Sequence, residues 1–250
     1  MTDDDLLSVF DATVEAVERA LAEVADWRPT TERPSQYAID VAADTAALAV
    51  LLDAGLGVLS EESGRHHPER ATTVVVDPVD GSTNASRRLP WYACSLCAVD
   101  ADGPRAALVV NLATGQRFDA VRGGGARGDG RPIAPARTTE IGDAVVGITA
   151  VPPPPAPWYQ LRALGASALD LCLVAAGGLD GYVATGAPRH GPWDYLGALL
   201  VCREAGVDLV DGAGQDLVVL DQGARRAPIA GATPALTAIL ADVWRGTPGP

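Results

Sequence analysis

The chain has 250 residues, a net charge of −13 and a composition that is 48% hydrophobic and 20% charged, which predicts a globular protein with one large domain or two closely packed ones. This negative charge argues against nucleic acids and anionic membranes as partners, because like charges repel. The sequence contains no lysine, since all 19 basic residues are arginine, and this excludes a P-loop and Schiff-base chemistry.

The first half of the chain begins with helical patterns and continues with strands. Apolar residues at alternating spacings of three and four, from Leu7 to Val24, predict an amphipathic first helix, and a second helix is expected over 41–52. Apolar or β-branched runs then predict strands at 57–60, 72–76, 91–99, 106–112 and 116–122. The following segment 123–128 fits G-x-G-x-x-G, but no helical pattern follows it, so we expect a hairpin turn rather than a dinucleotide site.

The second half mixes strands and helices. Its hydrophobic pattern predicts strands at 144–149 and 181–185, and helices at 167–176, 194–205 and 235–244. Consecutive prolines at 152–155 predict a stiff surface connector. We expect a boundary near residue 135, with an N-terminal α+β subdomain at 1–135 and an α/β subdomain at 136–250 that form one compact unit.

The N-terminal sequence and the cysteines bear on location. The chain starts Met-Thr-Asp-Asp-Asp, which is too acidic for a signal peptide, and no apolar run reaches the length of a membrane span. Four cysteines in a chain of this length are not a disulfide framework. We therefore expect a cytoplasmic protein without a membrane partner.

The segment 77–84, Asp-Pro-Val-Asp-Gly-Ser-Thr-Asn, carries the densest chemical signal. It follows a predicted buried strand, and its proline and glycine favour a tight turn that brings Asp77, Asp80 and the Val79 carbonyl to one place. Hard oxygen ligands in one place suit magnesium, and the backbone amides of 81–83 could hold phosphate oxygens. An ordinary turn is an equally good interpretation of this segment alone, because the same residues are turn formers.

Two further carboxylate motifs lie elsewhere in the sequence. Glu61 and Glu62 end a predicted strand, where one of them could bind a metal and accept a proton from water, although paired glutamates are usually solvated. Asp194 follows Trp193 at the start of a predicted helix. An N-cap is the commoner role for such an aspartate, and metal binding is the alternative.

Together the three motifs resemble the inositol monophosphatase family. That family has a Gly-Glu-Glu strand end, an Asp-Pro-Ile-Asp-Gly-Thr turn and a Trp-Asp helix start in this order, and the corresponding segments here are 60–62, 77–82 and 193–194. The resemblance implies a layered αβαβα fold, a homodimer, and Mg²⁺-dependent hydrolysis of a small phosphate monoester. Two or three Mg²⁺ ions are implied, with the ligands Glu61, Asp77, Asp80, Asp194 and the Val79 carbonyl.

The resemblance also implies roles in catalysis and substrate binding. Glu61 and Ser82 would orient the attacking water, and Asp44 is the best match to the aspartate that pairs with the hydroxyl at Ser82. The substrate would contact the residues that match the family's phosphate and alcohol contacts, namely Asp80, Gly81, Ser82, Thr83, Gly165, Ala184 and Asp194.

Several positions depart from the family pattern. The family's Val-Thr-x-x-Asp reads Val-Ala-Ala-Asp at 41–44, and Ala184 stands where animal members have a glutamate that contacts inositol. The segment 146–164 is also shorter and richer in proline. These departures predict a permissive or redirected phosphatase that is not tuned to inositol monophosphate. Histidinol phosphate and sugar phosphates are the alternative substrates, and a non-catalytic phosphate-binding homologue is the alternative from another class.

Overall fold

A computed structural model describes residues 1–28, 37–150 and 157–246, and two mixed sheets form its framework. The first sheet consists of β1 (Gly57–Ser60), β2 (Gly64–His66), β3 (Thr73–Asp80), β4 (Ala93–Asp100), β5 (Gly103–Asn111), β6 (Arg117–Val121), β7 (Gly125–Gly128) and β8 (Arg131–Pro132). Their order across the sheet is β2-β1-β3-β4-β5-β6-β7-β8. Within this sheet of the described residues, β1 and β3 are the one parallel pair of neighbours, so their carboxyl ends meet at one edge of the sheet.

The second sheet is smaller and uses the second half of the chain. It consists of β9 (Val145–Ile148), β10 (Gln160–Arg162), β11 (Gly181–Val183), β12 (Leu209–Asp211) and β13 (Pro228–Gly231). Their order is β10-β9-β11-β13-β12. Strands β9 and β11 are parallel neighbours, whereas β13 is antiparallel to both of its neighbours, β11 and β12.

Six helices are found in the described part of the chain, and they cover and separate the sheets. They are α1 (Asp3–Glu23), α2 (Ala38–Asp53), α3 (Ser82–Ser86), α4 (Ser167–Ala175), α5 (Leu196–Ala205) and α6 (Pro234–Gly246). Helices α1 and α2 share a buried apolar cluster with one face of the first sheet. Helices α4 and α5 pack between the two sheets, and α6 packs on the second sheet. The result is the expected αβαβα layering.

Strand β3 shows why the first sheet is buried on both faces. All eight of its residues are buried, and neighbouring residues point to opposite faces because side chains alternate along a strand. Val74 and Val76 belong to the cluster with α1 and α2, whereas Val75 packs with α4 and α5. A continuous β-branched apolar run is what such a doubly covered strand requires.

The longer elements lie close to their predicted positions. The hairpin predicted after β6 is confirmed, since β6 and β7 are antiparallel and no helix follows. Helix α2 starts at Ala38 instead of 41, which matters for the site described below. The helix predicted at 194 begins two residues later, because Pro192–Asp194 form a separate 3-10 turn.

Two predictions remain open. The proline-rich connector at 152–155 lies outside the described residues. The division into 1–135 and 136–250 stays a prediction, and the apolar cluster between the sheets contains residues from both sides of that boundary. None of the described helices is both long enough and apolar enough to cross a membrane.

Candidate active site

Two of the predicted ligands converge because their strands are parallel neighbours. Ser60 at the end of β1 lies opposite Val76 of β3, and the Glu61 amide donates to the Val76 carbonyl at 3.2 Å. Glu61 therefore comes beside Asp77 at the shared carboxyl edge. The Asp77 carboxylate accepts a hydrogen bond from the Val79 amide at 3.0 Å, which holds it toward the turn that follows.

The third carboxylate of this cluster comes from the second half of the chain. Asp194 lies in the 3-10 turn before α5, and its carboxylate accepts a hydrogen bond from the Gly191 amide at 2.8 Å. Glu61, Asp77 and Asp194 each offer a carboxylate oxygen, and these three oxygens lie within 4.8 Å of one another. Asp194 therefore lies at the candidate metal centre, and the predicted N-cap role is not met, because the N-cap residue of α5 is Tyr195.

Crowding of negative groups raises the pKa values in this cluster. Burial, and then the charges of Glu61 and Asp80, hold the pKa values of both Asp77 and Asp194 well above the usual range. Although part of Glu61 is exposed, desolvation of its carboxylate raises its pKa to about 7. Carboxylates of this kind fit a divalent cation, because a cation removes the repulsion and prefers hard oxygen ligands.

Asp80 and Val79 lie at the same cavity but have additional protein partners. The Asp80 carboxylate accepts a hydrogen bond from the Ala168 amide at 2.8 Å, and burial raises its pKa to about 7. The Val79 carbonyl accepts from the Ser82 hydroxyl at 2.9 Å. A carbonyl oxygen has two lone pairs, so this contact leaves it able to bind a cation as well.

The expected pairing of Asp44 with Ser82 is wrong. The Ser82 hydroxyl donates to Asp40 at 2.6 Å, whereas Asp44 accepts a hydrogen bond from Ser60. The reason is the position of α2: Asp40 lies in its first turn, next to the site, and Asp44 lies one turn further on, against β1. Burial raises the pKa of Asp40 to about 6.

The predicted phosphate cradle lies at the turn between β3 and α3. Gly81 has φ +92°, and a Cβ atom there would lie only 3.0 Å from the Gly165 carbonyl oxygen, so the close approach of these two segments requires glycine. A cavity of about 280 Å³ opens here. It is lined by Tyr37, Glu61, Asp77, Val79, Asp80, Gly81, Ser82, Thr83, Gly165 and Asp194.

Ala184 is not brought to this cavity. It is 2% exposed and belongs to the apolar cluster between the sheets, and its carbonyl accepts a hydrogen bond from the Trp244 indole at 2.9 Å. The expectation that this residue contacts the substrate is therefore not met. Sequence reasoning also missed Asp40 and Tyr37. Asp40 precedes Asp44 by one helical turn on the same face, which was the one available signal.

A family profile and several known proteins match most of this sequence. The sequence profile of the inositol monophosphatase family matches residues 35–246. Inositol-1-monophosphatase of Mesorhizobium japonicum is 32% identical over 229 residues, covering 83% of this chain and 84% of that protein. Fructose-1,6-bisphosphatase of Pyrococcus furiosus is 31% identical over 181 residues, covering 72% and 71%. Nus factor SuhB of Salmonella typhimurium is 31% identical over 193 residues, covering 68% and 71%.

The fold has close counterparts among solved structures. The extragenic suppressor protein suhB from Bartonella henselae superimposes with a TM-score of 0.82 at 25% identity, covering 97% of this chain and 99% of that one. The layered arrangement is thus shared over nearly the whole chain.

Proposed function

This chain belongs to the inositol monophosphatase family, and we propose that it hydrolyses a small phosphate monoester with the help of Mg²⁺. One observation carries the proposal. Three carboxylates, Glu61, Asp77 and Asp194, converge within 4.8 Å in the cavity that Ser82 also lines, and the Ser82 hydroxyl donates to Asp40. Metal-assisted phosphate hydrolysis needs at least a cation site and a group that positions the attacking water, and the two lie side by side here.

Five protein groups would hold the two or three Mg²⁺ ions that we propose. Glu61, Asp77 and Asp194 form the compact set, and the Asp80 carboxylate and the Val79 carbonyl extend it along the same cavity. When bound, the ions supply positive charge that polarises the phosphate and stabilises the leaving alkoxide. The raised carboxyl pKa values support this role, since a bound cation would relieve the burial and the mutual repulsion that raise them.

Ser82 and Asp40 would position the attacking water. The Ser82 hydroxyl has one proton, which it directs at the Asp40 carboxylate, so its oxygen is left to accept a hydrogen bond from water. Glu61, at the exposed edge of the cluster, can accept the proton that the water loses. Water then attacks phosphorus directly, and the phosphate oxygens lie against the turn at 81–83. Asp40 replaces Asp44 in this proposal.

The residues of the site restrict the alcohol portion of the substrate less than its phosphate group. Because Ala184 lies in the core and supplies no carboxylate, the site lacks the expected contact to ring hydroxyls at that position. We therefore propose a phosphatase that is not tuned to inositol monophosphate. Histidinol phosphate and sugar phosphates are the alternative substrates, and the relative named fructose-1,6-bisphosphatase favours a sugar phosphate.

A non-catalytic role is the alternative outside this class. One relative is named a Nus factor, so the expected absence of a nucleic-acid partner stays a prediction. The expected homodimer and cytoplasmic location also stay predictions. The complete carboxylate set of Glu61, Asp77 and Asp194 favours catalysis, because phosphate binding alone does not require a crowded acidic cluster.

The test is phosphate release from a panel of phosphomonoesters with Mg²⁺ and with EDTA. The panel is inositol 1-phosphate, histidinol phosphate, fructose 1,6-bisphosphate and 3′-phosphoadenosine 5′-phosphate, and Asp77→Asn is the matched inactive control. Mg²⁺-dependent release that this variant loses supports the proposal. No release from any compound would contradict it, and a preference for inositol 1-phosphate above about a hundredfold, or about 2.7 kcal/mol, would contradict the substrate argument.

A further inference from the structure

Tyr37 is a cavity residue to which the sequence motifs give no role. It lies directly before α2 and lines the same cavity as the carboxylate cluster. Two contacts fix its position. Its backbone amide donates to Asp40 at 3.1 Å, and its phenol oxygen lies 3.0 Å from the Thr83 hydroxyl oxygen. The ring therefore connects the start of α2 with the turn after β3.

The two hydroxyl groups have one proton more than their mutual hydrogen bond uses. Each hydroxyl can donate once, and one of the two donates to the other across the 3.0 Å contact. Within 1–28, 37–150 and 157–246, no further hydrogen-bond partner of either oxygen is found. Thr83 is exposed and lines the cavity, so the remaining O–H is accessible to a ligand.

The spare O–H proton of the Tyr37–Thr83 pair matters because the cavity has few other side-chain donors for an anion. Its lining contains no arginine or histidine among the described residues. With cations bound, the four carboxylates act only as acceptors. Ser82 directs its single proton to Asp40. The pair of Tyr37 and Thr83 therefore holds the one side-chain proton of the lining that is left for an anion.

We propose that the Tyr37–Thr83 hydroxyl pair contacts the phosphate group of the substrate, by donating one O–H to a non-bridging phosphate oxygen. Tyr37 is thus a phosphate-binding residue in addition to those of the turn at 81–83. The inference rests on the proposed phosphatase function. Asp40 links this contact to the water-positioning side of the site, since its two carboxylate oxygens accept from the Tyr37 amide and from the Ser82 hydroxyl.

The test removes one hydroxyl at a time and keeps the shape. Tyr37→Phe retains the ring and the backbone amide that Asp40 needs, and Thr83→Val retains the branched side chain. Because each single variant keeps one O–H that has lost its partner, we expect it to raise both KM and the dissociation constant of inorganic phosphate, measured with Mg²⁺, by about two- to tenfold, as for one lost neutral hydrogen bond. The value of kcat should change by less than about threefold, because the contact is already made in the ground state.

A double variant and a matched control separate this role from a structural one. Tyr37→Phe with Thr83→Val keeps no O–H for the phosphate, so it should weaken phosphate binding by about ten- to 150-fold, as for a lost hydrogen bond to a charged group, and by more than either single variant. Tyr159→Phe, at a tyrosine that is 66% exposed on the other half of the chain, should leave phosphate binding unchanged.

Two results bear differently on the inference and on the function. Unchanged phosphate affinity in both single variants, or a loss confined to kcat, overturns the inference while wild-type phosphatase activity leaves the function standing. A wild-type protein that binds phosphate with Mg²⁺ but hydrolyses no monoester overturns the function, and the phosphate-binding comparison still decides the role of Tyr37.

Discussion

At the scale of single residues, the site is organised by one carboxylate that the sequence motifs did not single out. Asp40 holds the Ser82 hydroxyl and the Tyr37 amide, whereas Asp44 lies behind it and holds Ser60. Both aspartates are buried and share one face of α2. Their different partners therefore assign them different roles, which isosteric substitutions can separate.

Asp40→Asn should reduce kcat by about ten- to a thousandfold, because a neutral amide holds the Ser82 hydroxyl less firmly and the attacking water loses its orientation. The matched control is Asp44→Asn, in which the amide oxygen can still accept from Ser60. Its kcat should stay within about threefold of wild type. Steady-state kinetics on the best substrate of the panel measures both, and the opposite order of effects would return the role to Asp44.

Ser82 itself can be tested by exchange of its hydroxyl. Ser82→Thr keeps a hydroxyl with the same donor and acceptor capacity and should remain active. Ser82→Ala loses the contacts to Asp40 and Val79 and should lower kcat by about ten- to a thousandfold. Equal activity of the two variants would show that the hydroxyl takes no part in the reaction.

At the scale of elements, the long buried strands could be predicted and several of the short ones could not. The apolar run of β3 is sufficient to specify a strand that is covered on both faces. Strands such as β2, β10 and β12 have three residues each, and their pairing is decided by the neighbouring strand rather than by their own sequence. The three metal-cluster carboxylates could be predicted, because each sits in a distinctive motif at the end of a strand or the start of a helix.

The start of α2 is where the prediction of the site failed. The helix was predicted from 41 but begins at Ala38, after Tyr37, a residue that is not among the usual helix caps. The match to Asp44 rests on the family pattern at 41–44, whereas the longer helix brings Asp40, in its first turn, to Ser82. The contact between Tyr37 and Thr83 joins residues 46 positions apart, and no local pattern predicts such a pairing.

The turn from β3 to α3 requires a glycine at position 81, and this requirement can be tested. Gly81→Ala should destabilise the protein more than Gly103→Ala, by about 1–3 kcal/mol. Both glycines have a positive φ, of +92° and +101°, but only at Gly81 would a Cβ atom meet backbone, at 3.0 Å. Urea unfolding measures the difference, and kcat/KM should fall only for Gly81→Ala. Equal costs would show that the turn relaxes without consequence.

At the scale of the whole molecule, the fold concentrates negative charge in a protein that is already strongly acidic. The net charge is −13, and the layered arrangement brings carboxylates from β1, β3 and the start of α5 within 4.8 Å. This is unfavourable without cations, because like charges are held together away from water. The stability of the molecule should therefore depend on pH and Mg²⁺ together.

Without Mg²⁺, the free energy of unfolding should decrease as the pH rises from about 5 to about 8. Burial raises the pKa values of Glu61 and Asp80 to about 7, whereas in the unfolded chain such groups lose their protons near pH 4. The folded state thus binds more protons, and its advantage is lost as the pH rises through 7. Because Mg²⁺ binds the ionised groups, it should stabilise strongly at about pH 8 and little at about pH 5.

Thermal unfolding with EDTA and with millimolar Mg²⁺ at the two pH values measures this linkage. At about pH 8, Mg²⁺ in a hundredfold excess over its dissociation constant should contribute about 2.7 kcal/mol, which corresponds to a rise in Tm of roughly 5–10 °C for a protein of this size. Asp194→Asn is the matched control: it removes one of the three clustered charges, so the metal-free protein should lose less stability at high pH and gain less from Mg²⁺. An equal rise at both pH values, or an unchanged rise in Asp194→Asn, would contradict metal binding by this cluster.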